Sequence, residues 1–393
     1  MITLSERRMF TEASKVDQGS SAGVYLHIPF CKSRCSYCDF ATDVFRDQAS
    51  VQRYVDALCR EILSEPPASA DGEVDTIYFG GGTPSLLDPK QAAQVIDAVR
   101  NRFDISRDAE ITMEMNPATV SAGSLAGYRE LGVNRASFGV QTFNDRDLKL
   151  LARGHDANDA RQTFKLLREA GFANISFDLI AGLPGQTLED WERNLNEALA
   201  MEPEHLSLYL LEVHQGTPLA AQLRSGRRPM PDEDAAAEMY EVLLDRTASA
   251  GLLQYEISNF ARPGFESRHN TKYWRLEPVY GFGVSAHSFD GVNRYWNERD
   301  TAAYVKRIEE TSSAIAGCED IDAASEFVFL GLRLDQGIDL AEYERRFRRD
   351  LCKTHHAEIA RLSENGLVEI DTGTLKLTRK GMLFSNEVFA EFV

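Results

Sequence analysis

Cys31, Cys35 and Cys38 fall within eight positions, in the run Phe30-Cys31-Lys32-Ser33-Arg34-Cys35-Ser36-Tyr37-Cys38. Such a loop is suited to a metal or a cluster. An iron–sulfur cubane is normally held by four thiolates, and the next cysteine along the chain is Cys59. Three close cysteines without a fourth point to a 4Fe-4S cluster with one iron left open. An open iron is a place for electron-transfer chemistry that no side chain can perform. Two other readings use the same residues. A structural zinc wants four N or S ligands, and His27 could supply the fourth, although it alternates with Tyr25 on a strand entering the loop. A disulfide is disfavoured, because six cysteines in 393 residues with no secretory signal suggest a reducing compartment. Cys59, Cys318 and Cys352 are scattered and read as ordinary thiols.

Further polar and glycine-rich positions follow at intervals. Gly80-Gly81-Gly82-Thr83-Pro84 would let a ligand approach the backbone closely, or simply make a tight turn. Glu114 precedes Asn116-Pro117. Gln141, Arg153 and Asp178 each come after or within an apolar segment. Arg153 suits a carboxylate, and Asp178 on an apolar strand needs a partner; each could instead join a structural ion pair. Ala181 to Thr187 forms a glycine-rich turn into a helix. Gly281-Phe282-Gly283-Val284-Ser285-Ala286 mimics a dinucleotide fingerprint, but it lies outside a convincing βαβ unit and reads as a close-packed turn before His287. In His269-Asn270-Thr271-Lys272-Tyr273-Trp274, a histidine capable of axial haem ligation is followed by aromatics that could cover a porphyrin. The plain alternative is a packed loop whose histidine hydrogen-bonds. His214 and His287 are weaker candidates, and His355-His356 should face solvent.

Short apolar segments alternating with longer amphipathic ones position these motifs, the rhythm of βα units and a parallel sheet. Strands are expected at 24–28, 76–79, 111–115, 135–139, 175–180 and 206–211. Helices are expected at 51–64, 89–102, 121–131, 157–170, 188–201 and 232–250, with Ser50 and Thr187 as caps. Six such units suggest a partial barrel, and in parallel α/β architectures the site forms at the carboxyl ends of the strands. From about residue 323 helical segments at 326–333, 340–347 and 355–365 precede two alternating strands joined at Asp371-Thr372-Gly373, a hairpin turn. Helices followed by such a wing resemble a winged-helix domain. Glu65-Pro66-Pro67-Ala68-Ser69 reads as a surface loop.

The chain carries 43 basic and 61 acidic residues, a net charge of −18, which argues against a nucleic-acid partner. Arg345, Arg346, Arg348 and Arg349 make a local basic patch that reads as a solvated helix face. No apolar run approaches the roughly twenty residues of a membrane span. The first residues, with Glu6, Glu12 and Asp17, lack the apolar core of a targeting signal, so a cytoplasmic address is expected.

The C-x3-C-x2-C spacing, with Tyr37 before the last cysteine, resembles the signature of the radical S-adenosylmethionine (SAM) superfamily. That resemblance implies an α/β fold, a partial (β/α)6 TIM-like barrel, with Cys31, Cys35 and Cys38 on the cluster and SAM on its open iron. It also implies a SAM pocket lined by Tyr25, Tyr37, Gly81, Gly82, Thr83, Glu114, Gln141, Arg153 and Asp178. His27-Ile28-Pro29-Phe30-Cys31, Tyr37-Cys38-Asp39-Phe40, Gly80 to Pro84 and the winged tail together resemble the oxygen-independent coproporphyrinogen III oxidase group, over most of the chain from about residue 23. The oxidases of that group carry a further cysteine where this chain has Phe40, and a longer N-terminal segment. The H-N-x-x-Y-W motif at His269, Tyr273 and Trp274 resembles the haem-binding motif of the group's HemW-type haem-chaperone branch. The expected organisation is an extension at 1–22, a core barrel at 23–255, a connecting segment at 256–322 and a winged-helix-like domain at 323–393. The resemblance implies haem as cargo and haem-accepting apo-proteins, respiratory enzymes at a membrane among them, as partners, and it leaves room for a homodimer. An anaerobic oxidase of coproporphyrinogen III, or another radical enzyme acting on a tetrapyrrole, is the alternative.

Overall fold

Strands that alternate apolar and polar residues form the centre of the molecule. In Ile105–Met115, the side chains of Ile111, Met113 and Met115 enter the core beneath the helices, while Glu110, Thr112 and Glu114 take the other face. Arg135–Gln141 repeats the pattern, with Ala136, Phe138 and Val140 in the core and Arg135 and Ser137 opposite. A parallel sheet buried on both faces usually reads as continuous apolar sequence. Here the period of two turns a polar face away from the helices.

The computed structural model describes residues 21–64 and 73–392. The extension at 1–22, apart from its last two residues, and the loop Glu65-Pro66-Pro67-Ala68-Ser69 lie outside the described residues.

Six strands run parallel in chain order: β1 (Ala22–Ile28), β2 (Val74–Gly81), β3 (Ile105–Met115), β4 (Arg135–Gln141), β5 (Ile175–Ala181) and β6 (His205–Leu210). The intervening helices Gln48–Ser64, Pro89–Arg102, Ala122–Glu130, Ala157–Glu169 and Leu188–Ala200 lie where the periodicity places them. Several start on a strong cap: Asp88, Ser121, Asp156 and Thr187 each accept from a backbone N–H in the first turn. Ser50 is not a cap. The first helix begins earlier, and Ser50 instead donates its backbone N–H to Asp47, 2.8 Å away.

The sheet is open and wider than six strands. Beyond β6 it continues into antiparallel strands β7 (Leu253–Glu256) and β8 (Asn259–Ala261). On the other side β9 (Val279–Phe282) adds a seventh parallel strand beside β1, followed by antiparallel β10 (His287–Phe289), β11 (Asn293–Asn297) and β12 (Ile315–Asp320). The stretch read as a connecting segment, 256–322, therefore lies largely within the sheet. Its strands are three to six residues long and rich in polar residues, too short to show a period. The dinucleotide-like Gly281 to Ala286 is a close-packed turn, as its position suggested. A Cβ on Gly283, where φ is +100°, would come within 2.6 Å of the Tyr54 hydroxyl. Buried Glu61 holds the turn by accepting from Gly283 N at 2.8 Å and from the Tyr304 hydroxyl at 2.6 Å.

The C-terminal region carries helices Ala323–Gly331, Leu340–Phe347 and His356–Glu364 and a small sheet of Ile338–Asp339, Thr374–Leu377 and Val368–Asp371. Thr372 and Gly373 both have positive φ, 48° and 86°, and Asp371 pairs with Thr374. This is the two-residue primed hairpin that Asp371-Thr372-Gly373 foretold. The region docks on the core through Arg379, which bridges to Glu241 and Asp245, and through Arg333, which pairs with buried Glu256 and lies 4.3 Å over the Trp274 ring. No helix among the described residues is long and apolar enough to cross a membrane.

Candidate functional site

The loops leaving the carboxyl ends of β1 to β5 converge. After β1 the chain enters the cysteine loop, which is anchored at both ends. Ser36 exchanges backbone hydrogen bonds with Leu151 and Leu219, and its hydroxyl donates to the Leu150 carbonyl at 2.9 Å. Cys31, Cys35 and Cys38 are all partly accessible. Two polar contacts reach their sulfurs from neighbouring loops. Thr83 Oγ1 donates to Cys31 Sγ at 3.6 Å, and Arg153 Nη1 donates to Cys35 Sγ at 3.4 Å. Asn116 joins these contacts, its Nδ2 donating to Thr83 Oγ1 at 2.7 Å while its Oδ1 accepts from Arg153 Nη2 at 2.6 Å. One chain of contacts, Cys31–Thr83–Asn116–Arg153–Cys35, thus ties the loop to three strand ends. Among the described residues no three His, Cys, Asp or Glu side chains converge at metal-ligand spacing. The donor set still suits an iron–sulfur cluster: three thiols on one short loop, with a hydroxyl and a guanidinium donating to sulfur as outer-shell partners do. Burial pushes the Cys31 thiol up to about 11 and raises Cys38 as well, the cost that ligation to iron would offset.

His27 is not free to complete a zinc site. Its Nδ1 meets the Tyr25 hydroxyl at 3.1 Å and its Nε2 the Ala41 carbonyl at 2.9 Å, and the residue is buried.

The glycine turn after β2 comes against the cysteine loop. A Cβ on Gly82 would lie 2.6 Å from the Pro29 carbonyl oxygen, so only glycine fits there. Gly81, at φ +110°, donates its N–H to Glu114 Oε2 at 3.1 Å, and the Tyr78 hydroxyl donates to Glu114 Oε1 at 2.7 Å. Burial lifts the Glu114 carboxyl to about 7, against the Tyr78 hydrogen bond and with help from nearby Asp178. Burial also lifts Asp178 to about 6, against its hydrogen bond to Ser207. Two carboxyl groups therefore sit near the point of ionisation, as is common where a ligand supplies the missing charge. Gln141 ends β4 at φ +68°, a conformation costly for a residue with a side chain, beside a register shift in the β4–β5 pairing. Arg153 Nη2 donates to the Gly139 carbonyl at 2.7 Å just before that shift. Tyr37 packs against the apolar cluster of Leu150, Leu151, Ile180, Leu183, Leu219 and Leu223 under the cysteine loop. Tyr37, Gly81, Gly82, Thr83, Glu114, Gln141 and Arg153 thus share one end of the sheet with the three cysteines, while Tyr25 and Asp178 are each the fourth of seven residues in β1 and β5, further back along their strands. Asn116 and Tyr78 were not singled out. Asn116 two positions past Glu114, and Tyr78 two before Gly80, carried a signal in the period of two.

The helix bearing the H-N-x-x-Y-W residues lies toward the amino ends of β1 and β2, but its His269 reaches in to the residues just named, stacking on Tyr25 and on Tyr78, the donor to Glu114. The helix Arg268–Trp274 starts on Glu110, whose carboxylate accepts from Arg268 N and His269 N, each at 3.2 Å. Lys272 ion-pairs with Asp75 at 2.9 Å and donates to the Ser21 carbonyl. Ser21 and Asp75 lie at the amino ends of β1 and β2, whereas Glu110 is the sixth of eleven residues in β3, paired with Thr76, and Thr76 lies five residues before Gly81, about 17 Å along the strand. His269, 1% exposed, enters the inner face of the sheet and stacks on Tyr78 at 5.0 Å. Its Nδ1 meets Thr76 Oγ1 at 2.9 Å and its Nε2 the Tyr273 hydroxyl at 3.2 Å. Burial and neighbouring Lys272 hold its pKa down at about 3, so it is neutral. Tyr273 is 37% exposed, whereas Trp274 turns away under Arg333 with its indole N–H lacking a partner. The three residues face three environments. His214 and His287 are exposed, the former beside Glu212 and the latter stacked on Trp296; His356 faces solvent as expected, whereas His355, expected there too, is half-buried against the Phe392 ring.

The model of the Radical SAM superfamily matches residues 25–198, and that of the HemN C-terminal domain matches residues 319–384. The chain is 37% identical to "Heme chaperone HemW" of Bacillus subtilis over 373 residues, covering 94% of this chain and 98% of that protein. It is 39% identical to "Heme chaperone HemW" of Escherichia coli over 265 residues, covering 67% and 69%. Among solved structures it superposes on the coproporphyrinogen III oxidase (HemN) from Escherichia coli with a TM-score of 0.84 and 27% identity, covering 96% of this chain and 91% of that one.

Proposed function

The chain belongs to the heme chaperone HemW family of radical SAM proteins, and on that premise we propose that it binds haem and passes it to haem-dependent apo-proteins, respiratory enzymes among them. The single observation that carries this reading is the end-to-end identity to HemW-named relatives, 37% over 98% of one of them, against 27% to the HemN oxidase whose fold it shares. Phe40, 67% exposed, stands where the oxidases' further cysteine is expected.

In this reading Cys31, Cys35 and Cys38 hold the 4Fe-4S cluster, and SAM lies against Tyr25, Tyr37, Gly81, Gly82, Thr83, Glu114, Gln141, Arg153 and Asp178. The cluster, when bound, supplies one electron at a time. The chain's own residues do the rest. The Gly81–Gly82 backbone offers close approach, Glu114 and Asp178 offer carboxylates for a cationic ligand, and Arg153 fixes the loop. His269, Tyr273 and Trp274 contribute to the haem site. For His269 to ligate iron, its Nε2 must give up the Tyr273 hydroxyl, and Tyr273 is the accessible member of the pair. The setting is a cytoplasmic one, and a homodimer is compatible with it.

The test is a haem titration of the anaerobically reconstituted protein, wild type beside His269→Ala, together with incubation of the protein with SAM, a reductant and coproporphyrinogen III. Saturable haem binding weakened in the variant, with no decarboxylated product, is expected. Formation of a product that has lost two carboxylates would replace the carrier by an oxidase.

A further inference from the structure

The inner face of the sheet has a polar centre that none of the motifs uses. Arg135, at the start of β4, is 1% exposed, and its buried Nε has no hydrogen-bond partner. Its register neighbour Thr112, fully buried, has an unpartnered hydroxyl. By the period of two both point to the same inner face as Glu114 and Ser137.

The acidic groups nearby accept hydrogen bonds from other donors. Glu114 accepts from the Tyr78 hydroxyl and Gly81 N, Glu110 from Arg268 N and His269 N, and Asp178 from Ser207. The Arg135 charge reaches Tyr78, Glu114, Asp178, His205, Tyr255 and His269, which places it in the middle of the inner face. A buried guanidinium nitrogen without an acceptor is costly, and such a group asks for an anion or an ordered ligand. Two nearby tyrosines remain accessible. Tyr209 and Tyr273 keep 42% and 37% of their surface accessible although burial drives both phenols well above their ordinary pKa, as happens to groups lining a chamber inside the molecule.

We propose that the inner face of the sheet is a carboxylate-binding chamber in which Arg135, assisted by Thr112, receives an acidic group of the bound ligand. A guanidinium takes a carboxylate through two parallel N–H donors, a geometry lysine does not reproduce. The aromatic walls, Tyr25, Tyr78, Tyr209 and Tyr273, suit a flat apolar body attached to that acid. The haem-carrier reading, on which this inference rests, supplies such a ligand in a tetrapyrrole propionate. The methionine carboxylate of SAM is the other source of the same chemistry.

The experiment uses the full chain with its cluster reconstituted anaerobically, and compares wild type, Arg135→Gln and Arg135→Lys by equilibrium binding. Each is titrated with haem and with haem dimethyl ester, then with SAM and with decarboxylated SAM. Arg135→Gln is expected to weaken haem about ten- to a hundredfold, the scale of a lost charge-assisted hydrogen bond, while changing the diester little, with Arg135→Lys between. A loss confined to SAM over decarboxylated SAM supports the chamber and assigns it to SAM. Affinities unchanged, or reduced equally for acid and neutral partner in both pairs, overturn it. Thr112→Val, which leaves the guanidinium in place, should show a smaller loss of the same selectivity and decides the matter if Arg135→Gln does not fold. Wild type that binds no haem overturns the carrier reading alone, and the SAM pair then tests the chamber by itself.

Discussion

The two ends of the central sheet are built differently. At the carboxyl ends of the strands, residues far apart in sequence meet in one contact chain, with Thr83 and Arg153 touching the sulfurs of Cys31 and Cys35 through shared Asn116. At the amino ends, three residues of a single short helix disperse: His269 into the sheet, Tyr273 to an accessible position and Trp274 under Arg333. The first arrangement gathers three thiols, a hydroxyl and a guanidinium beside a carboxyl that burial raises to about 7. In the second, His269 is held by Thr76 and the Tyr273 hydroxyl, Tyr273 stays accessible, and Trp274 under Arg333 ties the C-terminal region to the core. For His269 to take a ligand at Nε2 its hydrogen bond to Tyr273 would have to be given up, whereas Cys31, Cys35 and Cys38 are already partly accessible.

The sharpest way to break this comparison is to remove the thiols. A Cys31→Ser, Cys35→Ser, Cys38→Ser variant is expected to lose its bound iron and sulfide altogether while keeping the fold, measured by metal analysis and circular dichroism. Full iron content in that variant would undo the cluster assignment.

The two ends should also respond to pH with opposite sign. Glu114 ionises at about 7 in the folded chain against 4.5 when exposed, so the folded state holds the extra proton and stability falls as pH rises through that window. His269 ionises at about 3 against 6.5, so the unfolded state holds the extra proton and stability falls as pH drops below about 6.5. Each effect is on the order of a few kcal/mol. Denaturant unfolding of the apo-protein across pH 4 to 8, repeated for Glu114→Gln and His269→Gln, should flatten the neutral side of the profile in the first and the acid side in the second. A profile unchanged by both substitutions would mean that neither group is buried as described.

Gly82→Ala tests whether the ends are separable. Its Cβ would press on the Pro29 carbonyl, at a cost of about 1–3 kcal/mol typical of overpacking. SAM affinity should drop while haem affinity stays near wild type in parallel titrations. Equal losses would show the ends to be coupled.

The smallest effect is expected at the C-terminal attachment. Arg379 is half exposed in its ion pairs with Glu241 and Asp245, so Arg379→Ala should cost no more than about 1 kcal/mol in thermal unfolding. A larger loss would give this surface contact a role that the Trp274–Arg333 packing is here taken to fill.

Much of the cluster end was legible in the sequence because its signals are local. Cysteine spacing, a glycine triplet and carboxylates at strand ends all fall where a parallel α/β unit places its loops, and Thr372 and Gly373 similarly announced their turn. Arg135 and Thr112 went unread because a charged residue on a strand looks like an edge or a surface face until neighbouring strands show that it points inward. Asn116 was hidden by its proline, which reads as a turn. His269 was legible as a haem candidate by type, but its two hydrogen bonds, to Thr76 and Tyr273, depend on a strand nearly two hundred residues earlier and on the helix it begins. The short strands after residue 256 carried no period, so the widening of the sheet could not be seen.

The central claim is most directly tested by loading the reconstituted wild-type protein with haem, removing free haem, and following transfer spectroscopically to an apo-haemoprotein held in a separate, recoverable form. The account predicts saturable loading and passage of intact haem into the acceptor faster than spontaneous release into buffer. Haem that does not bind saturably, or that binds and never reaches the acceptor, would contradict it.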